Sequence, residues 1–483
     1  METKDENSYR SILKGTSLFG GVQVFQILIN LVRGKFVAMF LGPDGMGVNG
    51  LMSNASNTLS TFSSLGLNLA FVREVAEHKD DRERLRTVVR VALQAARATA
   101  LLGAFVCVLL SPFLSRVTFG SDAYTWQFLL LAVAVYLTVE GQGKLCMLQG
   151  MHKVRTISAT TLIGAATGLL VGVPLYYFFG TRGIVPALIA FALATWICYT
   201  VGVARAVPDN HVRFSWREHK PILRRMALLG FTLLAANLIT QTCTYVINIF
   251  IRSHGDLANV GLFNAANSIT NQYAGVVFTA MSLDYFPRLA AAAADKVKMH
   301  RVVNRQLEIV ALIVAPAVAL LIATAPAVIR LLLTSEFLGI TELMRWMGLG
   351  VMLKATAYPL GYIAFAKNNR RLFFWLEGVA CNALYFGCAM GFYAAFGLIG
   401  LGYAMVTEQG ICVLIYYLVN RRVYGYTFSR RALAAVGTAI TIGVAAFACS
   451  LISDAVWAYV AMGAVAVGSI ALSFRRLRAV IKS

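Results

Sequence analysis

Within one long apolar stretch near the N-terminus, Gln23, Gln26, Asn30 and Arg33 recur at spacings of three, four and three residues. On a helix that spacing puts all four on one face, where amides and a guanidinium can bond a polar ligand or a neighbouring helix. A second stripe runs through Asn54, Asn57, Thr61, Ser64 and Asn68. Two more follow later in the chain, Asn237, Gln241, Thr244 and Asn248 in one segment and Asn264, Asn267 and Asn271 in the next. Interhelical hydrogen bonding accounts for such side chains in many membrane proteins. Four matched stripes also fit a shared hydrophilic cavity, with Asn30, Asn57 and Asn267 in its lining.

Ionisable groups inside apolar segments are expensive and mark function. Arg33 and Lys35 lie in the outer half of the first segment, which holds no carboxylate. Counted from the membrane faces, Arg97 and Glu140 reach similar depths on consecutive antiparallel segments, and Lys354 and Glu408 share a depth near the midplane. Each pair reads either as a buried salt bridge that fixes geometry or as a group that binds substrate or exchanges a proton. Arg33, Lys35 and Lys354 are thus candidate substrate-binding cations; Glu140, Arg97, Asp284 and Glu408 are candidate coupling groups. Asp284 and Arg288 stand four apart, which a local helical ion pair explains.

The elements that must position these groups follow from composition. Of the 483 residues, 58% are hydrophobic and 13% charged, with mean hydropathy +0.68; soluble domains carry about 25% charged residues. Such a chain needs lipid as its solvent. Apolar stretches of spanning length fall at 12–40, 48–72, 87–110, 124–147, 156–179, 183–204, 226–250, 260–286, 306–333, 342–366, 372–396, 398–420, 431–452 and 455–473. They predict an all-α integral membrane protein of about fourteen transmembrane helices. The first stretch is too long for a signal peptide and lacks a small-residue cleavage site, so it is expected to remain as the first helix.

The net charge of +21 would point to nucleic acid in a soluble protein. Here 34 of the 43 Lys and Arg fall in the N-terminal tail, in alternate loops (73–90, 144–155, 205–225, 288–305, 367–371 and 420–431) and in the C-terminal tail. The opposite loops hold little beyond Arg116, Arg182, Arg252 and Arg330. This is the positive-inside pattern. It places both termini in the cytoplasm and assigns the basic excess to topology rather than to nucleic acid.

Eight cysteines lie singly in apolar segments without CxxC pairs or His partners, and read as small buried hydrophobes. No phosphate-binding GxxxxGK[ST], HExxH or DxD-type cluster is present, and no sizeable outer loop could hold a catalytic site. The reading is a transporter rather than an enzyme, with no cofactor and no metal.

At an offset of 210, Ile12, Leu13, Lys14, Leu18 and Gly20 align with Ile222, Leu223, Arg224, Leu228 and Gly230, and Asn54, Ala55 and Asn57 with Asn264, Ala265 and Asn267. Glu74 then meets Asp284, and the segment 148–155 echoes 365–371. Two pseudo-symmetric six-helix lobes follow, 1–205 and 226–420, joined by a cytoplasmic loop at 206–225 and followed by an added helix pair and basic tail at 421–483. Six is even, so the repeat is parallel, and alternating access between the lobes is the usual consequence.

The segment Val-Arg-Gly-Lys-Phe-Val-Ala-Met-Phe-Leu-Gly-Pro-Asp-Gly-Met-Gly-Val-Asn-Gly-Leu (32–51) and the block Asp-Tyr-Phe-Pro-Arg-Leu (284–289) resemble the O-antigen translocases. These are Wzx-type flippases of the multidrug, oligosaccharidyl-lipid and polysaccharide exporter (MOP) superfamily. The resemblance covers the first twelve helices. It implies transfer of undecaprenyl-pyrophosphate-linked oligosaccharide across the bacterial inner membrane through a cationic cavity. Arg33 and Lys35 match the family's basic positions, and a guanidinium fork suits a diphosphate. It also implies a monomer whose partners are the lipid-linked glycan, membrane lipids, a polysaccharide polymerase and a chain-length regulator. Fourteen helices is the count of the related lipid II flippases rather than of most O-antigen translocases. A cation-coupled multidrug exporter, which would need acidic groups in its cavity, a lipid II flippase and a non-transporting scaffold of the assembly machinery are the alternatives.

Overall fold

The computed structural model describes the backbone at 2–79, 81–207, 216–452 and 454–482; side chains at 2–24, 216–233, most of 273–284, 455 and 479–482 are outside the description. Asp284 is among these, so its expected pairing lies outside the described residues.

Every regular element among the described residues is helical. The chain runs α1 (Glu2–Ser63), α2 (Leu67–Glu77), α3 (Arg82–Phe119), α4 (Thr125–Gly150), α5 (Val154–Leu170), α6 (Gly172–Phe179), α7 (Ile184–Ala206) and α8 (Trp216–His254). It continues with α9 (Leu257–Ala292), α10 (Lys296–Leu332), α11 (Thr341–Ala366), α12 (Arg370–Phe373), α13 (Cys381–Phe396), α14 (Gly400–Tyr424), α15 (Arg430–Cys449) and α16 (Ala455–Lys482). Ten helical stretches among the described residues are long and apolar enough to cross a membrane. Two of them, Val154–Ala206 and Arg370–Tyr424, have 53 and 55 residues, and about 20 suffice for one crossing. The fourteen expected spans therefore do not appear as fourteen separate helices.

Local chemistry explains the differences. The first two expected spans run together as α1, bent where Gly42 adopts φ 63° immediately before Pro43. The second span then breaks early, because Leu65 and Gly66 both take left-handed backbone (φ 47° and 73°). Just before the break, the hydroxyls of Ser63 and Ser64 donate to the carbonyls of Leu59 and Thr61 at 2.6 and 2.8 Å, a back-bonding that bends helices. Between α12 and α13, residues Phe374–Ala380 form a π-helical turn, a feature frequent at functional sites.

Backbone proximity divides the chain into two compact units, Met1–Val260 and Gly261–Ser483. The division falls in the first turn of α9. Two contacts tie α8 to the first unit: Tyr245 shares a hydrogen bond with Thr118, and Arg252 donates to the Phe119 carbonyl. Within the first unit α3 packs on α4, α4 on α7 and α5 on α7; within the second, α10 packs on α11, α11 on α14 and α13 on α14. The order of packing is the same in both. The added pair α15 and α16 packs on α10 and α11 through Val310, Val314, Val351, Ala435, Ala439 and Met462.

The block Tyr285–Leu289 has a structural reason for its composition. Tyr285 is fully buried and donates to the Pro359 carbonyl at 2.8 Å, and Leu289 is buried beside it. Phe286 packs against Tyr362 and Phe365.

Candidate functional site

The first unit encloses a cavity of about 630 Å³. Asn57, Ser60 and Thr61 of α1 line one wall, continued across the helix break by Ser64, Gly66 and Asn68. Thr138, Gln142 and Gln149 of α4 form another wall, and Asn237 and Gln241 of α8 a third. Two stripes separated by some 180 positions in sequence thus meet at one space, and Thr58 of α1 reaches the Gln241 carbonyl at 3.4 Å. The contribution of α4 was not legible as a stripe, although Thr138, Gln142 and Gln149 fall within roughly 40° of one another at 3.6 residues per turn. Among the described residues, no charged side chain lines it. The lining offers amide and hydroxyl groups that both donate and accept, with apolar Leu69, Val72 and Leu234 between them. The irregular backbone at 64–66 faces this cavity, where broken membrane helices are tolerated.

Arg33 is placed elsewhere on α1. Its guanidinium lies 6.0 Å from the Phe191 ring centroid, against α7, and close to Gly168 of α5. Lys35 and Asn30 are half-buried on the same helix. In the second unit, Asn267 accepts from Asn271 at 2.7 Å, so two members of the α9 stripe bond each other.

Arg97 and Glu140 do form an ion pair, at 3.3 Å. The pair has a third member. Lys144, counted above among cytoplasmic cations, is instead buried (2% exposed) with its Nζ 2.9 Å from the Glu140 carboxylate. Lys144 also donates to Thr200 at 2.8 Å and lies over the Trp196 ring, whose Nε1 donates to Glu140 at 2.9 Å. The four-residue spacing of Glu140 and Lys144 was the available signal. On α4 these two point roughly 200–240° around the axis from Thr138, away from the cavity face and toward α3 and α7.

Lys354 and Glu408 do not repeat that arrangement. Glu408, 5% exposed, accepts from Gln409 Nε2 at 2.7 Å and Cys412 Sγ at 3.3 Å. Lys354 acts on it only at longer range, with its Nζ over the Phe278 ring at 5.8 Å. Cys412 Sγ also touches Cys381 Sγ at 3.0 Å; the Cys381 thiol donates to the Tyr416 hydroxyl at 3.2 Å, and Tyr416 donates to Glu377 in the π-helical turn. Two of the cysteines read above as hydrophobes are therefore hydrogen-bond donors within a row of polar contacts. Sequence spacing alone could not join positions on α13 and α14.

Residues 36–342, more than half of the chain, match the polysaccharide biosynthesis protein family. The chain is 25% identical over 427 residues to the lipid III flippase of Escherichia coli K12, covering 85% of this chain and 100% of that one. Its fold is similar to that of the lipid II flippase MurJ in an inward closed conformation (TM-score 0.74, 15% identity, 96% of this chain and 100% of that one). It is also similar to an inward-facing multidrug resistance MATE family transporter of the MOP superfamily (TM-score 0.71, 17% identity, 87% and 99%). A membrane-embedded helical chain with this packing order and this sequence match belongs to the polysaccharide biosynthesis protein family and has the MOP transporter fold.

Proposed function

We propose that the protein flips a lipid-linked oligosaccharide across the bacterial inner membrane by alternating access, with an undecaprenyl-pyrophosphate-linked repeat unit such as O-antigen as cargo. The observation that carries this reading is the chemistry of the α1–α4–α8 cavity. Its lining is rich in amides and hydroxyls and, among the described residues, contains no carboxylate. Sugar hydroxyls donate and accept, as do these groups, whereas a lipophilic cation would be drawn to a carboxylate. Similarity to a lipid III flippase supports the same class of cargo.

In this reading Arg33 and Lys35 meet the cargo's diphosphate, with Lys354 as a further cation, while Asn57 and Asn267 belong to the glycan path together with Asn30. The lobes 1–205 and 226–420 move as the alternating halves, both termini face the cytoplasm, and a polymerase and chain-length regulator take over the product outside. Glu408 exchanges the coupling proton, and Asp284, Arg97 and Glu140 help to set lobe geometry.

The test is complementation of a strain lacking its own flippase for the cognate glycan. Wild-type protein restores surface glycan; Asn57→Leu combined with Gln142→Leu and Asn237→Leu removes it at unchanged membrane abundance. Arg33→Ala also removes it and Arg33→Lys restores it in part, since a point charge replaces the fork. Full display with the triple variant would end the cavity assignment.

A further inference from the structure

The second unit contains a basic pocket lined by none of the residues assigned above to glycan transfer. It has a volume of about 440 Å³ and lies between the first turns of α10 and the connection from α14 to α15. Arg301, Arg305 and His300 of α10 and Arg431 of α15 line it, with Glu308 as the single carboxylate among the described residues. Lys296 and Lys367 add to the positive field at His300.

The pocket is built, because its backbone is pinned from inside. Buried Asn304 donates to the His300 and Thr427 carbonyls at 2.9 and 3.1 Å. Its Oδ1 accepts from Tyr426 OH at 3.1 Å and the Ser429 amide at 2.8 Å. Ser429 in turn caps α15 by accepting from the Ala432 amide at 3.0 Å. All four polar connections of one side chain thus hold a five-residue connection against α10. Phe428, stacked on Tyr417 at 4.8 Å, supplies an apolar wall. His300 Nε2 is buried in this setting with no hydrogen-bond partner among the described residues.

We propose that this pocket binds the phosphodiester headgroup of an anionic glycerophospholipid in the leaflet that the charge bias assigns to the cytoplasm. Arginine forks match phosphate oxygens, and basic pockets between membrane helices on that side recognise anionic headgroups. What favours a lipid over free phosphate is the surface that follows. Further along α10, within roughly 80° of Arg305 around the helix axis, Ile313 and Leu320 are exposed apolar side chains, suited to acyl chains that continue from a headgroup in the pocket. Because Ser429 and Arg431 belong to the start of the added helix pair, that pair completes the site.

The experiment uses purified full-length protein in mixed micelles, with stabilisation against heat read for three probes: dioleoyl-phosphatidylglycerol, dioleoyl-phosphatidylcholine and inorganic phosphate at matched ionic strength. Phosphatidylglycerol is expected to raise the melting temperature saturably, and the other two are not. Combining Arg301→Gln, Arg305→Gln and Arg431→Gln should weaken the apparent affinity for phosphatidylglycerol roughly tenfold or more. Arg421→Gln with Arg422→Gln and Arg475→Gln, an equal loss of charge outside the pocket, should leave it nearly unchanged. If the triple variant does not fold, the exposed Arg431→Gln alone, read as bound lipids per protein by native mass spectrometry, takes its place. Wild-type lipid affinity in the pocket variants, equal loss in the control, or full stabilisation by inorganic phosphate would each overturn the proposal.

Discussion

Among the buried carboxylates of this protein, Glu140 of the first unit and Glu408 of the second have surroundings that differ in kind. Glu140 is 1% exposed and receives two cations, Arg97 and Lys144, together with the Trp196 indole N–H. Glu408 is nearly as buried but receives an amide and a thiol, and it opens a chain of neutral groups that ends on the exposed Glu377. A carboxylate held by two cations and an indole is committed to its charge, and its neighbours are committed to it in return. One held by neutral donors has no such lock, and neutral donors in series are what a transferred proton needs. Depth in the membrane alone does not distinguish a structural acid from an exchangeable one; the partners do.

The sharpest way to break this comparison is to remove Glu140. Glu140→Ala leaves Lys144 buried without its counter-ion, and losing one partner of a buried pair costs roughly 3–5 kcal/mol. The expected result is a large fall in melting temperature and in folded yield. Combining Glu140→Leu with Lys144→Leu should recover most of that loss, because an apolar replacement of a buried pair is often neutral. Stable but inactive Glu140→Ala protein would instead make Glu140 part of the transport machinery.

Glu408→Gln is expected to do the opposite: near-normal stability, with transport that no longer responds to an uncoupler. Tyr416→Phe interrupts the chain at its last step before Glu377. It should reduce transport less than Glu408→Gln, with a stability loss of about 1 kcal/mol for one lost hydrogen bond. Unchanged uncoupler response in both would assign Glu408 to structure as well.

The contrast explains how far the sequence could be read. Helix class, the basic bias and the stripes of α1 and α8 are periodic signals, so Asn57, Thr61, Asn237 and Gln241 were legible, and they meet at one cavity. Arg97 with Glu140 was legible because depth on consecutive antiparallel spans is simple arithmetic. Lys144 was lost because counting residues from a membrane face puts a span end several residues off, and one turn decides whether a lysine is a loop cation or a buried partner. The Glu408 chain was not legible at all. Its members at 377, 381, 412 and 416 become neighbours only when α14 packs on the π-helical turn and α13, and nothing in their spacing announces that turn. The helix break at 64–66 left a weak trace in Ser63, Ser64 and Gly66, which a hydropathy reading passes over.

The smallest effect serves as a reference for ordinary titration outside the membrane. Asp295 caps α10, and backbone N–H bonds, chiefly from Lys298 and also from Val297, hold its pKa below the usual carboxylate value. A depressed folded pKa means its contribution is complete above the unfolded pKa and lost as pH falls through the folded one. A slight acid-side fall in melting temperature is expected, reduced in Asp295→Asn; an equal fall in that variant would place the acid sensitivity elsewhere.

The most direct measurement is flipping in reconstituted vesicles. A fluorescent polyprenyl-pyrophosphate-linked oligosaccharide is placed in the inner leaflet, and its arrival outside is read with a membrane-impermeant quencher. The account predicts transfer much faster than in protein-free vesicles, abolished when Asn57, Gln142 and Asn237 are together replaced by Leu. Transfer no faster than in empty vesicles, with uptake of a lipophilic cation by the same preparation, would contradict it.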